Sequence, residues 1–418
     1  MIFERLRAPG ILSRPVWHAC QQSLDGIGQW LCPLDGNALC ATARRRTKLE
    51  DFGELGIEPA LSVLVKSLDT EANLHPLGRF LIRAHLQSIL ETRLRIAHYW
   101  KDKLELMRAL PIEQPVFIVG MPRSGSTFLH ELLAEDAQNR APRVWEVMFP
   151  IPTSNDSQED VERRIRKAET CLWWFRRLAP KADSVYPMRA QTPHECVAIQ
   201  SYTLLSQEFV STCRIPSYEA FLAAQDLLPA YRWEKCFLQH LQLNRPANRW
   251  VLKSPDHVYG LDALFKVFPD AFIIHTHRNP LEVLESSAEL TRVLQALFGW
   301  RADPAELAAR EARVLAIGTH RSMQFRDRHP ELAHRFIDLK YPELVRNPLK
   351  TVRAIYTRLE TPLTDETVLR IQELLSKRSR YRRSRANSSP GKADCEPSSA
   401  EIFRRYCLRF NLPLGKGG

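Results

Sequence analysis

The 418-residue chain is 44% hydrophobic and has a formal net charge of +11, so it can form a substantial core and is basic overall. It contains no run of about 18 apolar residues, which argues against a membrane-spanning helix. Its first residues lack the sustained apolar region of a secretory signal. The nine cysteines form no C-x-x-C framework, which favours free thiols in a reducing, cytoplasmic compartment over disulfides or a zinc site.

The positive charge suits two kinds of ligand, a nucleic acid or a polyanionic small molecule. Cations are densest between Lys377 and Arg385. The sequence has no zinc finger, DNA-binding helix pair or RNA-binding signature to accompany that patch, so no nucleic acid is expected as a partner.

Residues 1–110 are predicted to be helical. Their apolar residues recur at intervals of three and four, for example in "GRFLIRAHLQSILETRLRIAHYW", and this period is typical of an amphipathic helix. We interpret the segment as an N-terminal helical extension, either a cap or an oligomerisation surface.

An α/β domain is predicted over residues 111–375. Helical patterns separate four apolar strands, which are expected to form a P-loop-type parallel sheet flanked by helices. Residues 150–245 are predicted to be inserted helices and loops that cover the carboxyl edge of the sheet, where such folds bind ligands. The predicted strands are "VFIVG", "RWVLKSP", "AFIIHTHR" and "HRFIDLKY".

Residues 376–418 are predicted to be a basic loop followed by a C-terminal helix. From Ser376 to Ser399 the chain has few apolar residues and many Ser, Arg and Pro, which is typical of a mobile loop. "AEIFRRYCLRFNL" then returns to helical spacing.

The turn after the first strand, "GMPRSGST", has both glycines of the nucleotide-triphosphate loop G-x-x-x-x-G-K-[ST]. Those glycines, Gly120 and Gly125, let backbone N–H groups turn toward an anion, and the following helix aims its positive dipole end at the same place. Arg123 adds a cation suited to tetrahedral oxyanions. Ser126, however, occupies the position of the lysine that reaches the outer phosphates of a triphosphate.

The later strands also differ from those of a magnesium-dependent NTPase. They end in Lys253 and Arg278, where a triphosphate site usually has an acidic residue for the metal. The expected ligand is therefore anionic, needs no metal and is held by Arg and Lys side chains.

Several segments together resemble sulfotransferases that use 3′-phosphoadenosine 5′-phosphosulfate (PAPS). The strand and loop "PVFIVGMPRSGSTFLHELLA" look like their phosphosulfate loop, and "THRNPLEVLESSAEL" is similar to their 3′-phosphate motif, an Arg followed eight residues later by a Ser. The resemblance covers most of residues 40–370. Further matching segments are "WVLKSPDH" and "DLKYPELVRNPLKTVRAIYTRL", with "RAPRVWEVMFPIP" and "QTPHECVAI" resembling a large, mostly bacterial branch.

The resemblance implies which residues bind PAPS. Arg278 and Ser286 would bind the 3′-phosphate, with adjacent Ser287 as the alternative to Ser286. The 5′ end would be held by Arg123, Ser124, Gly125, Ser126 and Thr127.

The resemblance also implies catalytic roles. Charge builds on the bridging oxygen during transfer, and Lys253 and Arg123 are the cations expected to stabilise it. The expected base is Glu146, since a Glu after the P-loop helix is the proposed base in tyrosylprotein sulfotransferases. His194 and Glu195 stay open as alternatives.

The implied function is transfer of the PAPS sulfuryl group to a hydroxyl or amine of a small-molecule, lipid or glycan acceptor. A non-catalytic adenine-nucleotide-binding protein and, with less support, a P-loop kinase are the alternatives, and homo-oligomerisation is left open. The basic segment Lys377–Arg385 either closes over the nucleotide or is simply solvated. Aromatic residues considered for the acceptor pocket are Trp145, Phe149, Trp173, Trp174 and Tyr186.

Overall fold

The computed structural model describes residues 28–29, 32–153, 157–178, 180–243, 245–299, 303–381 and 396–414. The chain divides into two compact units, each built from separate stretches of sequence. The first unit consists of Met1–His98, Leu204–Gln225 and Val293–Arg301, and the second of Tyr99–Thr203, Asp226–Arg292 and Ala302–Gly418. All predicted functional residues belong to the second unit.

Nineteen α-helices and five strands are defined within the described residues. The helices are α1 (Gly36–Thr47), α2 (Ala60–Thr70), α3 (Pro76–Lys101), α4 (Leu104–Arg108), α5 (Ser126–Leu133), α6 (Val144–Met148), α7 (Gln158–Leu178), α8 (Pro180–Val185), α9 (Cys196–Gln200), α10 (Gln207–Thr212), α11 (Pro216–Ala223), α12 (Leu228–Gln242), α13 (Leu261–Val267), α14 (Pro280–Gln295), α15 (Pro304–Arg328), α16 (Tyr341–Arg346), α17 (Pro348–Arg358), α18 (Asp365–Tyr381) and α19 (Pro397–Arg409). The strands are β1 (Val116–Gly120), β2 (Asn139–Arg140), β3 (Arg249–Lys253), β4 (Phe272–His277) and β5 (Phe336–Lys340).

The first unit is helical, as the spacing of its apolar residues predicts. On α2 the buried residues Leu61, Leu64 and Leu68 follow one another at intervals of three and four, so one stripe of the helix enters the core. Asp35 caps α1, where its carboxylate accepts a hydrogen bond from the Ala38 N–H at 2.6 Å. Residues 1–27 of the predicted extension lie outside the described residues.

The second unit contains a five-stranded parallel sheet in the order β2-β3-β1-β4-β5. The four predicted strands correspond to β1, β3, β4 and β5, so the α/β fold class is confirmed. Sequence analysis missed β2, because two polar residues, Asn139 and Arg140, carry no apolar alternation. Between β2 and β3 the chain is helical, as predicted for residues 150–245, and the helices there are α6–α12.

Strand β1 is buried along its whole length, which agrees with the expectation for a strand covered on both faces. Val116 and Ile118 pack into a cluster with Leu129 of α5 and Ile355 of α17. On the other face the Phe117 ring lies edge-to-face with His257, with ring centroids 5.0 Å apart. Burial on both sides makes β1 a firm support for the loop that follows it.

The parallel register brings the strand ends to one edge of the sheet. Gly120 at the end of β1 pairs with Thr276 of β4, and Ile118 pairs with Lys253 at the end of β3. Helix α14 starts after Asn279, whose side chain caps it by accepting a hydrogen bond from the Leu281 N–H at 2.9 Å. The glycine loop, Lys253 and the start of α14 therefore lie at this carboxyl edge.

Two local predictions need correction. The segment "HVYGLDALFKVFP", whose pattern predicts a helix from His257, begins within a 3₁₀ turn over Pro255–Tyr259, and Gly260 separates that turn from α13. The expected basic loop also starts later, because α18 continues to Tyr381. Lys377 pairs with Glu373 one turn earlier at 2.7 Å, a spacing that supports the helix. Residues 382–395 of that loop lie outside the described residues.

Candidate functional site

The loop after β1 has the backbone shape of an anion cradle. Gly120 has φ of +135° and Gly125 has φ of +91°, and between them Arg123 also adopts a positive φ of +64°. A Cβ at Gly120 would lie 2.4 Å from the Thr276 carbonyl oxygen, so only glycine fits there. Gly125 caps the eight-residue helix α5, whose first N–H groups lack partners within the helix and face the loop.

The Ser124 side chain holds this loop against the sheet. Its hydroxyl donates to the Met121 carbonyl at 2.6 Å and contacts the Thr276 hydroxyl at 2.7 Å, while the residue is fully buried. The role of Ser124 as a donor to PAPS stays a prediction. The neighbouring Thr127 is exposed on the first turn of α5.

Three of the predicted nucleotide-binding residues contact one another. Arg123 donates from Nε to the Ser286 hydroxyl at 3.0 Å, and Arg278 donates from Nη1 to the Arg123 carbonyl at 3.0 Å. Arg278 also pairs with Glu282 at 3.2 Å. The structure thus brings Arg123 of the glycine loop together with Arg278 and Ser286, and these three residues form what we call the cationic corner. The Arg123 guanidinium points toward Ser286.

The two serines considered for the 3′-phosphate differ in their surroundings. Ser286 is partly exposed beside Arg123. Ser287 is buried, and its hydroxyl donates to the Glu311 carboxylate at 2.7 Å. This difference favours Ser286 as the ligand-facing residue.

Tyr341 is a site residue that sequence analysis did not assign. The Arg278 guanidinium carbon lies 4.4 Å from the centroid of its ring, a distance typical of a cation–π contact. The same ring packs so close to Gly125 that a Cβ there would lie 2.8 Å from Tyr341 Cδ2. Its position directly after β5 was the available signal, because the other three predicted strands, β1, β3 and β4, lead into the glycine loop, Lys253 and Arg278.

Lys253 forms a buried ion pair with Glu195. Their Nζ and Oε1 atoms are 2.5 Å apart, and the side chains are 2% and 13% exposed. The Tyr186 hydroxyl donates to the same carboxylate oxygen at 2.7 Å. Burial acts to raise the pKa of Glu195, but the Lys253 ammonium and the Tyr186 hydroxyl outweigh it and hold that pKa below its usual value.

Glu146 has a different set of partners. One carboxylate oxygen accepts from Arg140 Nη2 at 3.0 Å, and the other accepts from the Arg143 N–H at 2.9 Å, which caps α6. Glu146 also lines an open pocket of about 300 Å³ with other side chains that include Trp145 and Arg245. None of the described residues that line this pocket belongs to the loop after β1. Glu146 as the base stays a prediction.

The aromatic residues considered for an acceptor pocket fall into two groups. Trp145 is buried in a cluster with Phe149 packed against it. Trp173 and Trp174 on α7 are exposed and lie edge-to-face, with ring centroids 4.8 Å apart. Exposed tryptophans of this kind are unusual on a surface that only meets water.

The donor set at the carboxyl edge suits PAPS. Two arginines and a serine meet near the glycine loop, which leaves the backbone cradle for one phosphate and the cationic corner for another. Lys253 lies on the neighbouring strand, level with Ile118. No described helix has both the length and the apolar composition needed to cross a bilayer.

Comparison with known proteins gives consistent matches. A model of the sulfotransferase family matches residues 115–365. Two relatives, the omega-hydroxy-beta-dihydromenaquinone-9 sulfotransferases Stf3 of Mycobacterium bovis and Mycobacterium tuberculosis, are each 25% identical over 260 residues, which is 59% of this chain. The chain spans 63% of the length of these relatives.

Two solved structures are also similar. Sulfotransferase STF1 from Mycobacterium tuberculosis H37Rv is 29% identical with a TM-score of 0.71, covering 80% of this chain and 92% of its own. Sulfotransferase STF9 from Mycobacterium avium is 26% identical with a TM-score of 0.78, covering 91% and 98%. The family match includes the glycine loop, Lys253, Arg278 and Ser286 and extends over more than half of the chain. The chain therefore belongs to the sulfotransferase family.

Proposed function

We propose that this protein transfers the sulfuryl group of PAPS to a hydroxyl group of an apolar, lipid-like acceptor. The observation that carries the proposal is the convergence of the glycine loop, the Arg123–Arg278–Ser286 contacts and the Lys253–Glu195 pair at one edge of the sheet. A kinase would need an acidic strand end for magnesium at this edge, and β3 and β4 lead instead into Lys253 and Arg278.

The glycine loop and the start of α14 would hold the two ends of the nucleotide. Backbone N–H groups of Gly125, Ser126 and Thr127 suit the 5′-phosphate, since they begin helix α5. Arg278 and Ser286 suit the 3′-phosphate, and the Arg123 guanidinium contacts Ser286. We therefore assign Arg123 to the 3′ side of the site as well as to the loop.

Lys253 is the cation we assign to the transfer step. PAPS supplies an activated sulfuryl group and leaves as 3′,5′-ADP (PAP). Lys253 is almost fully buried and fixed by Glu195, so it needs little reorganisation to stabilise negative charge that develops beside it. No metal is required for this role.

We propose Glu195, the alternative base from the sequence, as the group that accepts the acceptor's proton. The Lys253 ammonium and the Tyr186 hydroxyl both contact one oxygen of Glu195, Oε1, whereas Arg140 and Arg143 between them donate to both oxygens of Glu146. A base must lie within hydrogen-bond reach of the reacting group. The position of Glu195 beside Lys253 meets that condition better than the capped position of Glu146.

The acceptor class is inferred from α7 and from the relatives. The Stf3 relatives are named for a menaquinone derivative, which is a lipid. In this chain, Trp173 and Trp174 are exposed on α7, and Glu169 of the same helix accepts a hydrogen bond from the Ala190 N–H at 2.6 Å. Helix α7 is thus attached to the segment that leads into Glu195, and its aromatic residues suit an apolar acceptor.

Calorimetric titration with PAP in the presence of EDTA tests nucleotide binding. We expect heat of binding without metal, and Arg278→Ala should weaken the affinity about 10- to 150-fold because a charged hydrogen bond contributes about 1.5–3 kcal/mol. Arg292→Ala is the matched control, since Arg292 lies near the other end of α14, the helix that follows Arg278, and pairs with Glu289. Absence of PAP binding, together with magnesium-dependent ATP turnover, would favour a kinase.

Sulfuryl transfer itself is tested with labelled PAPS and a panel of acceptors, including long-chain alcohols and hydroxylated quinones. Glu195→Gln should abolish transfer and keep PAP binding, whereas Glu146→Gln should retain transfer if it keeps its fold. The opposite pattern would restore Glu146 as the base. Trp173→Ala/Trp174→Ala should raise KM for apolar acceptors more than for short ones. A parent protein that binds PAP and transfers nothing would support the non-catalytic alternative.

A further inference from the structure

We propose that Cys196, Glu234 and His257 form a buried site for a divalent transition-metal ion of the zinc type. The three residues each offer one ligand atom, a thiol sulfur, a carboxylate oxygen and a ring nitrogen, and these atoms all lie within 4.8 Å of one another. Sulfur, imidazole and carboxylate are the ligands that zinc takes in proteins. The site adjoins the transfer machinery, because Cys196 follows Glu195 and His257 follows Lys253 by four residues.

Among the described residues, two atoms of this cluster are buried without a strong hydrogen-bond partner, although the Cys196 thiol, a weak donor, interacts with the Glu234 carboxylate. They are His257 Nε2 and Glu234 Oε1, in side chains that are 1% and 0% exposed. A buried polar atom left unsatisfied costs about 1–3 kcal/mol, so native proteins rarely keep two in one place. A metal ion bound between them would satisfy both atoms at once.

The opposite atoms of the same two side chains are held by neighbours. His257 Nδ1 lies 2.8 Å from the Tyr231 hydroxyl, and Glu234 Oε2 accepts from the Gln200 amide at 2.9 Å. Metal-bound histidines and carboxylates are usually oriented in this way through the atom that does not bind the metal. The contacts therefore turn Nε2 and Oε1 toward Cys196.

The local structure explains how these residues meet. Cys196 opens the short helix α9, and Gln200 follows one turn later. Tyr231 and Glu234 lie one turn apart on α12, so each helix supplies one ligand and one supporting residue. His257 comes from the 3₁₀ turn after β3.

Charge balance also suits a divalent cation. A thiolate and a carboxylate together carry two negative charges, which an ion such as Zn²⁺ neutralises. The neighbouring Lys253–Glu195 pair is neutral by itself. The metal and its two anionic ligands would therefore be neutral together, in an interior where uncompensated charge is costly.

A second group with metal-binding residue types, His275, His277 and Asp338, does not carry the same argument. Arg326 donates to both oxygens of Asp338 at 2.6 and 2.9 Å, and His277 Nε2 lies 2.8 Å from the same carboxylate. Both oxygens of the Asp338 carboxylate therefore already accept hydrogen bonds from protein groups.

Metal analysis of the full-length protein tests the proposal directly. We expect one equivalent of bound metal per chain after purification, and cobalt(II) added to the chelator-treated protein should give a thiolate-to-cobalt charge-transfer band. Tyr231→Phe should weaken cobalt binding about 10- to 100-fold, as loss of a supporting contact usually does. Chelation should also lower the melting temperature.

Variants separate a metal site from a metal-free polar cluster. Cys196→Ser and Glu234→Gln should each lose the stoichiometric metal, and Cys196→Ser should lose the charge-transfer band. Cys213→Ser is the matched control, because Cys213 is also buried and lies outside the cluster. A wild-type protein that is folded, holds no metal and gives no band with cobalt(II) overturns the proposal, whatever the variants do. Retention of the band by Cys196→Ser overturns it equally. Neither result depends on PAPS binding or transfer.

Discussion

The Lys253–Glu195 pair gives the sharpest quantitative prediction. Lys253→Met removes the ammonium while keeping an apolar side chain of similar length, and it leaves the Glu195 carboxylate buried without its cation. Glu195→Gln has the converse effect, since it leaves the Lys253 ammonium buried without its carboxylate. Combining both substitutions removes both charges and retains an oxygen that can accept from Tyr186.

The expected size follows from the geometry. Two unit charges 2.5 Å apart attract by about 7 kcal/mol at an effective dielectric constant of about 20. Desolvation of two buried ions offsets much of that gain, so the intact pair adds little net stability. Removing one partner loses the attraction but keeps the desolvation cost, and each single variant should therefore lose about 3–5 kcal/mol of unfolding free energy. The double variant should lie closer to wild type than either single variant does.

Urea unfolding followed by circular dichroism measures these differences. Wild type, the two single variants and the double variant are compared with one common m value, the slope of unfolding free energy against urea concentration. The reasoning fails if the double variant is no more stable than Lys253→Met, since the two charges would then not be coupled in the folded state. All three variants should lose sulfuryl transfer. PAP binding should survive in each of them, because its proposed ligands lie on the loop and on α14.

Three further variants follow from single contacts. Gly125→Ala should lose about 1–3 kcal/mol of stability and impair PAP binding, because its φ is +91° and a Cβ would lie 2.8 Å from Tyr341; wild-type PAP affinity in calorimetry would contradict this. Ser286→Ala should weaken PAP binding about 2- to 12-fold through one lost hydrogen bond and leave AMP binding unchanged, and equal losses for both nucleotides in parallel titrations would argue against a 3′-phosphate contact. Burial acts to lower the pKa of His85, but Glu208 at 2.7 Å outweighs it and raises that pKa above its usual value. The His85–Glu208 pair therefore stabilises the fold fully at pH values below about 6.5, and this contribution is lost as pH rises through the pKa of His85 in the folded protein. His85→Gln should reduce the change of melting temperature with pH in that range, and an unchanged slope would contradict the assignment.

The strands of the sheet were predictable because burial on both faces leaves a continuous apolar run in the sequence. "VFIVG" and "AFIIHTHR" carry that signal, and they form β1 and β4. Strand β2 has no such signal, since it consists of two polar residues, Asn139 and Arg140, that pair with β3. Helix starts were predictable where a side chain caps them, as Asn279 does for α14.

The residues proposed to bind the nucleotide could be chosen from the sequence, because they occur at fixed spacings after strands. The pairing of Glu195 with Lys253 could not be predicted, since the two residues are 58 positions apart in the sequence and only tertiary packing joins them. The same holds for Cys196, Glu234 and His257, whose separations match no metal-binding spacing. Long-range polar contacts of this kind leave no periodic trace in a single sequence.

The missing lysine of the loop has a structural counterpart in Lys253. In a triphosphate loop the lysine extends from the first helix toward the outer phosphates, but here Ser126 occupies that position and is buried. Lys253 comes from the neighbouring strand β3, level with Ile118 of β1, so a cation still adjoins the loop from the side of the sheet. Unlike a loop lysine it is paired with a carboxylate, Glu195. In the proposed reaction, Lys253 would stabilise the transferred group and Glu195, 2.5 Å away, would accept the proton of an attacking hydroxyl; transfer to an alcohol requires both roles, and nucleotide binding alone requires neither.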